Sequence, residues 1–239
     1  MDTKLMQQEK LLKKLQRQAE PYGLVLRGGF TVIAEDQVPS LSPLRPTVSL
    51  VLFGNAGSSI WPVFSRSPEY LDGKLDPLDR WSRRIGESMA KQFDGLALYP
   101  FDGPPFHPFL TWAEKGEPTT TSPLLIKIHP KYGLWHAYRF ALALAEPLYN
   151  LAPPKIAVAP CDKCITQPCL QKCPVGAFTN HRYLSDRCVR YLIEEADSEC
   201  LYRGCLARLA CPEGQSFRYR PEHARFHMRA FVESQQRKK

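Results

Sequence analysis

Apolar residues near the N-terminus recur at the spacing of a helix. One face of residues 4–20 is apolar among lysines and glutamines, and it carries Leu5, Leu12, Leu15 and Ala19. This spacing predicts an amphipathic helix. Pro21 and Gly23 follow directly and are typical of a helix end. We expect this helix to pack on the first domain.

A continuous apolar stretch covers residues 47–53, with the sequence Thr-Val-Ser-Leu-Val-Leu-Phe. A short run rich in β-branched and apolar residues predicts a buried strand. The small residues from Gly54 to Ser59 come next. The pattern therefore predicts a strand that ends at Phe53 and leads into a small-residue loop, a common place for a binding site.

A second helix is predicted for residues 76–92, because Asp76 and Pro77 together form a helix start signal. Its inward face is expected to carry Trp81, Ile85 and Met89. The remaining predicted elements are a strand at 95–99, a proline-rich loop at 100–108, a strand at 124–128, a helix or long strand at 135–145 and a helix at 221–235. Strands that alternate with helices predict an α/β or α+β first domain, and we expect the α+β class for the chain.

Cysteine usage divides the chain unevenly. All eight cysteines lie between Cys161 and Cys211, and none occurs before them. We therefore predict a first domain at 1–152, a cysteine module at 153–215 and a basic C-terminal helix at 216–239. No apolar run resembles a signal peptide or reaches membrane-spanning length, so we expect a cytoplasmic protein. In a reducing compartment, clustered cysteines are metal ligands or catalytic thiols more often than disulfides.

The cysteine spacing predicts two [4Fe–4S] clusters. The first four cysteines end in Cys173-Pro174 and the last in Cys211-Pro212, and a fourth cysteine followed by proline serves the other cluster in two-cluster ferredoxins. We therefore assign one cluster to Cys161, Cys164, Cys169 and Cys211. The other is assigned to Cys173, Cys188, Cys200 and Cys205. Two zinc sites are the alternative, although zinc favours two Cys-x-x-Cys pairs and only one is present.

The formal net charge of +8 raises the question of a nucleic-acid or acidic partner. Each cluster with its four thiolates contributes roughly −2, so two clusters lower the charge to about +4. Nucleic acid is then a less favoured partner, and an electron-donating reductase, a flavodoxin or a ferredoxin is favoured.

Two segments of the first domain carry candidate cofactor chemistry. Backbone N–H groups of the loop containing Gly54 and Ser58 are able to cradle a phosphate, although the spacing matches neither a P-loop nor a dinucleotide motif. The run 128–139 is rich in groups that orient cofactors or move protons, and its candidates are His129, Tyr132, Trp135 and Arg139. The structural alternative is that these residues only build a strand end and a core.

The run 128–139 resembles a segment of CblC-type cobalamin-processing proteins, which have a flavin-nitroreductase-like fold. The resemblance extends to Pro21-Tyr22-Gly23, to residues 46–53 and to Asp76-Pro77-Leu78-Asp79. It implies a nitroreductase-like first domain, with cobalamin or a flavin as candidate cofactor. It also implies that Arg139 corresponds to an arginine that helps bind a thiol cosubstrate in that family.

The region from Cys161 to Pro212 is similar to the ferredoxin modules of epoxyqueuosine reductases and corrinoid reductive dehalogenases. The run Cys188-Val-Arg-Tyr191-Leu192 carries part of this similarity. The resemblance implies a redox protein whose two clusters pass electrons to a corrinoid or a substrate at the first domain. The alternatives are a stand-alone ferredoxin-like carrier or adaptor and a tRNA-modifying reductase, the latter with Arg225 and Arg229 on the basic C-terminal helix.

Overall fold

The computed structural model describes residues 3–149, 158–179 and 182–237. The chain forms two compact units, of which the first comprises Met1–Pro118 and His136–Lys155. The second comprises Thr119–Trp135 and Ile156–Lys239. By contacts, therefore, the segment 119–135 belongs with the cysteines, although it is part of the predicted first domain. The functional boundaries after residues 152 and 215 stay predictions.

The first unit contains five helices and four strands within the described ranges. They are α1 (Thr3–Ala19), β1 (Val25–Thr31), β2 (Ser49–Ala56), α2 (Trp61–Phe64), α3 (Pro68–Leu71), α4 (Pro77–Gln92), β3 (Leu96–Leu98), α5 (Phe109–Gly116) and β6 (His136–Leu144). The strands form one sheet in the order β1-β2-β6-β3, and every neighbouring pair is antiparallel. The α+β class is confirmed, and the α/β alternative is wrong for this unit.

Helices cover both faces of this sheet. Leu50 and Leu52 of β2 pack in one core with Trp112 of α5. Val51 and Phe53, whose side chains point to the opposite face, are also fully buried. The continuous apolar run of β2 is explained by this double covering, because no position between Ser49 and Asn55 faces solvent.

The predicted N-terminal helix is confirmed as α1. It buries Leu15 and Ala19, whereas Leu5 near its start is 39% exposed. A short 3₁₀ turn at Glu20–Tyr22 follows, and Gly23 then adopts a left-handed conformation with φ of 70°. The predicted second helix is confirmed as α4, and its three inward residues Trp81, Ile85 and Met89 are all buried.

Strand β2 continues through Ala56, so the predicted strand end at Phe53 is wrong. Residues 57–60 alone form the turn that follows. A Cβ atom on Gly54 would lie 1.9 Å from the carbonyl oxygen of Ala137, on the neighbouring strand β6. Glycine is therefore required at position 54 because the two strands approach closely there. The pairing of β2 with β6 also shifts register between Phe53 and Gly54.

Two other predictions have clear outcomes. The segment 135–145 forms a strand, β6, and not a helix. The predicted strand at 124–128 is largely wrong, because only Lys127–Ile128 pair as β5, with β4 at Thr120–Thr121. Leu124 is apolar because it packs in the core of the second unit. Helix α5 has no counterpart among the predicted elements.

The second unit is built from short elements around the cysteines. Besides β4 and β5 they are α6 (Pro168–Gln171), β7 (Phe178–Thr179), β8 (Arg182–Tyr183), α7 (Ser185–Glu194), α8 (Glu199–Arg203), α9 (Leu206–Leu209) and α10 (Pro221–Gln236). The predicted C-terminal helix is confirmed as α10. Among the described residues, no helix has the length and apolarity needed to cross a bilayer.

Candidate metal centres and cofactor-binding residues

One group of thiols surrounds a pocket in the second unit. Cys161 lies in a 3₁₀ turn, Cys164 follows it, Cys169 lies in α6 and Cys211 follows α9. The same pocket is walled by apolar side chains that include Ile128 and Leu134. Burial raises the pKa of Cys161 to about 11, and the other three thiols add to the shift.

A second group contains the other four thiols. Cys188 lies in α7, Cys200 lies in α8, and Cys205 immediately precedes α9. Burial raises the pKa of Cys200, and the nearby thiols of Cys188 and Cys173 raise it further. Burial also raises the pKa of Cys205 to about 11, with contributions from Cys200 and Cys188.

The electrostatic influence of one thiol on another divides the eight cysteines into two sets of four. Besides burial, the charges of Cys169 and Cys164 of the first group raise the pKa of Cys211, and the charge of Cys173 raises the pKa of Cys188 in the second group. Cys173 therefore lies with the later cysteines, and Cys211 lies with the earlier ones. This grouping has the same membership as the predicted ligand sets, whose role in binding clusters stays a prediction.

Backbone N–H groups point at the cysteine sulfurs. The N–H of Ala177 donates to the Sγ atom of Cys173 over 3.2 Å. Similar backbone bonds partly offset the effect of burial on the thiol pKa, and they run from Leu170 to Cys169, from Leu206 to Cys200, from Ala207 and Arg208 to Cys205 and from Glu213 to Cys211. N–H donors stabilise negative charge on sulfur, so the residues fit thiolate ligands of a metal cluster.

A tyrosine completes the surroundings of the second group. The side chain of Tyr183 forms a hydrogen bond with Cys188, and burial raises the pKa of this phenol. Its ring stacks on that of Phe178, with centroids 4.9 Å apart. The neutral hydroxyl is thus held as a donor toward the sulfur.

All eight cysteines are free thiols, and none is paired in a disulfide. Within residues 3–149, 158–179 and 182–237, no three His, Cys, Asp or Glu side chains converge as a single metal ion would require. In a cubic cluster each iron takes one thiolate, so the four sulfurs need not meet at one point.

Three of the six candidate cofactor-binding residues lie in the first unit. Gly54 is a strand residue, as described above, and Ser58 lies half-buried in the turn 57–60. Arg139 is half-buried on β6, where its Nε atom donates to the carbonyl oxygen of Tyr138 over 3.0 Å. Burial raises the pKa of Asp79, and the positive charge of Arg139 acts in the opposite direction.

The other three candidates lie in the second unit. The rings of His129 and Tyr132 stack with centroids 4.5 Å apart. The backbone N–H of Lys131 donates to Nδ1 of His129 over 3.0 Å, so the proton of the neutral imidazole is on Nε2. Trp135 is 2% exposed and packs edge-on against Tyr219. The structure thus brings His129 and Tyr132 into contact, and three of the six candidates belong to each unit.

A buried polar network in the first unit was not predicted. Arg27 is fully buried and binds the carboxylate of Glu117 through two hydrogen bonds of 2.7 Å. Tyr138 donates to the same carboxylate over 2.7 Å, and Nδ1 of His136 lies 3.1 Å from Arg27. These residues are far apart in the sequence and share no motif, so only the fold brings them together.

Solved structures with a similar fold include three of epoxyqueuosine reductase. One, from Bacillus subtilis with its catalytic loop swung out of the active site, has a TM-score of 0.50 and 16% identity, covering 91% of this chain and 71% of that chain. The chain has an epoxyqueuosine-reductase-like fold. At this identity the likeness concerns the fold alone.

The other two structures have lower scores. An epoxyqueuosine reductase with an epoxyqueuosine-modified tRNA-Tyr stem loop has a TM-score of 0.49 and 15% identity, covering 93% of this chain and 71% of that chain. A selenomethionine-labelled epoxyqueuosine reductase has a TM-score of 0.47 and 16% identity, covering 91% of this chain and 69% of that chain. No protein-family model matches the chain, and no curated protein matches it in sequence.

Proposed function

We propose that this protein is an iron–sulfur redox protein that holds two [4Fe–4S] clusters and passes electrons to a cofactor or substrate at its first domain. The first cluster is assigned to Cys161, Cys164, Cys169 and Cys211, and the second to Cys173, Cys188, Cys200 and Cys205. The observation that carries the proposal is the division of the eight buried or half-buried thiols into these two sets.

The surroundings of the thiols support cluster binding over a catalytic role for a single thiol. Such clusters, when bound, supply one-electron transfer. The cysteine thiolates would hold them, and the backbone N–H groups would stabilise the negative charge of the ligands. The apolar side chains of Leu124, Ile128 and Leu134 pack with the first group and would limit the access of water to it.

The first unit is proposed as the electron-accepting domain, of the nitroreductase-like type. Gly54, Ser58 and Arg139 of that unit are the candidate contacts to a corrinoid or a flavin, and His129, Tyr132 and Trp135 of the second unit are further candidates. The resemblance of residues 128–139 to CblC-type proteins supports the corrinoid. The reaction class is reduction of the bound cofactor or of a substrate by electrons from the cysteine module.

The cluster proposal is tested by anaerobic reconstitution of the full chain, with iron and sulfide measured against protein concentration. We expect about eight iron and eight sulfide atoms per chain. Zinc bound in preference to iron in a competition experiment, or about four iron atoms per chain, would contradict the two-cluster assignment. Electron paramagnetic resonance of the dithionite-reduced protein reports whether one or two reduced clusters are present.

The corrinoid proposal needs a separate measurement. Cob(III)alamin is added to the reconstituted protein under reducing conditions, and its visible spectrum is followed. We expect conversion to a reduced cobalamin spectrum, and conversion that is lost in an Arg139→Met variant with intact iron content. An unchanged spectrum with the intact protein contradicts the corrinoid proposal and leaves the clusters standing.

A tRNA-modifying reductase is the second candidate. It is favoured by the resemblance of the cysteine region to epoxyqueuosine reductases, and the chain keeps a positive charge of about +4 with both clusters bound. On α10, Arg229 is exposed, whereas the guanidinium of Arg225 lies over the ring of Tyr202 at 4.8 Å. Filter binding of tRNA at two salt concentrations tests it, because phosphate contacts weaken steeply with salt. A stand-alone carrier, the third candidate, requires cluster reduction with neither cofactor nor tRNA bound.

A further inference from the structure

An open pocket at the surface lies beside the second thiol group. It is lined by residues from β8 and the beginning of α7, which are Tyr183, Leu184, Ser185, Asp186, Arg187 and Arg190. Arg187 and Arg190 are exposed and three residues apart, so they lie on one side of the helix. Arg182 of β8 is exposed next to Tyr183. Its side chain alternates with that of Tyr183 along the strand, so it does not line the pocket. We call Tyr183, Arg187 and Arg190 the arginine face.

The arginine face contacts the surroundings of two of the four thiols, through Tyr183 and Arg187. Tyr183 hydrogen-bonds Cys188, which lies in α7. The guanidinium of Arg187 lies 3.3 Å from the carbonyl oxygen of Gly176, in the loop that follows Cys173. Electron tunnelling weakens steeply with distance, so a donor that contacts this face has a short route to the second group.

Charge on this face is positive and compact. The residues that line the pocket include two arginines and one aspartate, for a net charge of 2 − 1 = +1. The following segment is acidic and exposed, and it carries Glu194, Glu195, Asp197 and Glu199. At about 1.5 Å per residue, Glu194 lies only about 10 Å along the helix axis from Arg187.

We propose that the arginine face docks an acidic electron-carrier protein, such as a flavodoxin, and that the second group is where electrons enter. This rests on the proposed cluster function. A compact acidic patch around a carrier's redox centre fits the face, whereas an extended nucleic-acid backbone would also meet the four carboxylates nearby. In the reaction the reduced carrier loses one electron and the cluster gains it, while no bond forms or breaks.

The test uses the full chain after anaerobic reconstitution and a bacterial flavodoxin reduced to its hydroquinone. Two quantities are measured at low and at physiological salt: the affinity of flavodoxin and the rate of cluster reduction in stopped flow. For the Arg187→Glu, Arg190→Glu double variant we expect each to fall at least about tenfold at low salt. The difference from wild type should shrink at higher salt, because screening weakens exposed charges.

The control variant carries Lys10→Glu and Lys91→Glu, which change the net charge by the same amount at exposed lysines of the first unit. Its flavodoxin affinity and cluster-reduction rate should differ from those of wild type by less than about twofold. A loss in both quantities equal to that of the arginine variant would overturn the proposal. The single variant Arg190→Glu leaves the contact of Arg187 with the loop at Gly176 intact. Its flavodoxin affinity and its rate of cluster reduction should each fall at least about threefold. The conservative Arg187→Lys, Arg190→Lys variant should retain most of the affinity.

Two further readouts separate this proposal from the proposed function. Dithionite should reduce all variants that hold wild-type amounts of iron, since it needs no docking surface. A wild-type chain that binds no iron refutes the cluster function itself. Normal iron together with unchanged flavodoxin affinity in the arginine variants refutes only the docking face. If the arginine variants lose tRNA binding but keep the wild-type rate of cluster reduction by flavodoxin, this result also refutes only the docking face.

Discussion

The guanidinium of Arg27 holds the carboxylate of Glu117 in a two-point hydrogen bond, with both distances 2.7 Å. The same guanidinium lies 3.1 Å from Nδ1 of His136. Glu117 stands just before the segment 119–135 leaves the first unit, and His136 stands where the chain returns. Arg27 therefore binds the residues at both ends of the segment that supplies Ile128 and Leu134 to the wall of the first thiol group.

Replacing Arg27 with methionine should leave the Glu117 carboxylate buried without its cation. Loss of one partner of a buried ion pair costs about 3–5 kcal/mol, so we expect the free energy of unfolding to fall by that amount. Urea denaturation followed by circular dichroism measures it. In the Arg27→Met, Glu117→Leu double variant the loss should be smaller than the sum of the two single losses. Strict additivity would show that the pair is not coupled.

Gly54 should be intolerant of any side chain. The 1.9 Å approach of a Cβ atom to the carbonyl oxygen of Ala137 leaves no room, because both atoms belong to paired strands. We expect Gly54→Ala to lower the free energy of unfolding by about 3 kcal/mol or more. Gly73→Ala is the comparison, since its Cβ meets nothing within 4 Å and bears only the cost of a φ of 68°, about 1–2 kcal/mol. Equal losses would argue against the close strand approach.

The grouping of the thiols predicts which double serine variants lose one cluster and which lose two. Cys169→Ser with Cys211→Ser removes two ligands of one group, so about four iron atoms should remain after reconstitution. Cys205→Ser with Cys211→Ser removes one ligand from each group, and iron content should fall toward zero. If the Cys169 and Cys211 pair instead behaves like the Cys205 and Cys211 pair, the crossed assignment is wrong.

Tyr183→Phe should lower the reduction potential of the second cluster. The mutation removes one hydrogen bond to the Cys188 sulfur, and such bonds stabilise the additional negative charge of the reduced cluster. A redox titration followed by electron paramagnetic resonance should show a more negative midpoint for the second cluster. The first cluster provides the internal reference, and an equal shift of both would contradict a local effect.

The Glu69–Arg84 pair should make the first unit sensitive to acid. A hydrogen bond from Arg84 lowers the pKa of Glu69. The contribution of this pair is therefore present above the unfolded pKa of about 4.3 and is lost as pH falls through the lower folded value. Urea midpoints of wild type and Arg84→Met should differ at pH 6, and the difference should shrink as pH falls below the unfolded pKa. A difference that stays constant over this range would contradict the linkage.

Local patterns were sufficient for the longest elements. The period of α1 and α4 and the stop at Pro21 and Gly23 depend on residues close in the chain, so both helices were predicted within a few residues. The uniform apolar run of β2 indicated a buried strand. Its end was predicted three residues early, because the small residues after Phe53 resemble a loop and only pairing with β6 shows that they continue the strand.

What the sequence by itself determined is the α+β character and the main helices, while the division of the eight cysteines by spacing and Cys-Pro signatures stays a prediction. The tertiary structure alone decided that the segment 119–135 packs with the cysteines, that Gly54 serves strand packing and that Arg27 meets Glu117. Periodicity and spacing report on neighbours along the chain. Burial of a charge or close approach of two backbones depends on residues about a hundred positions apart, and such contacts exist only once the chain has folded.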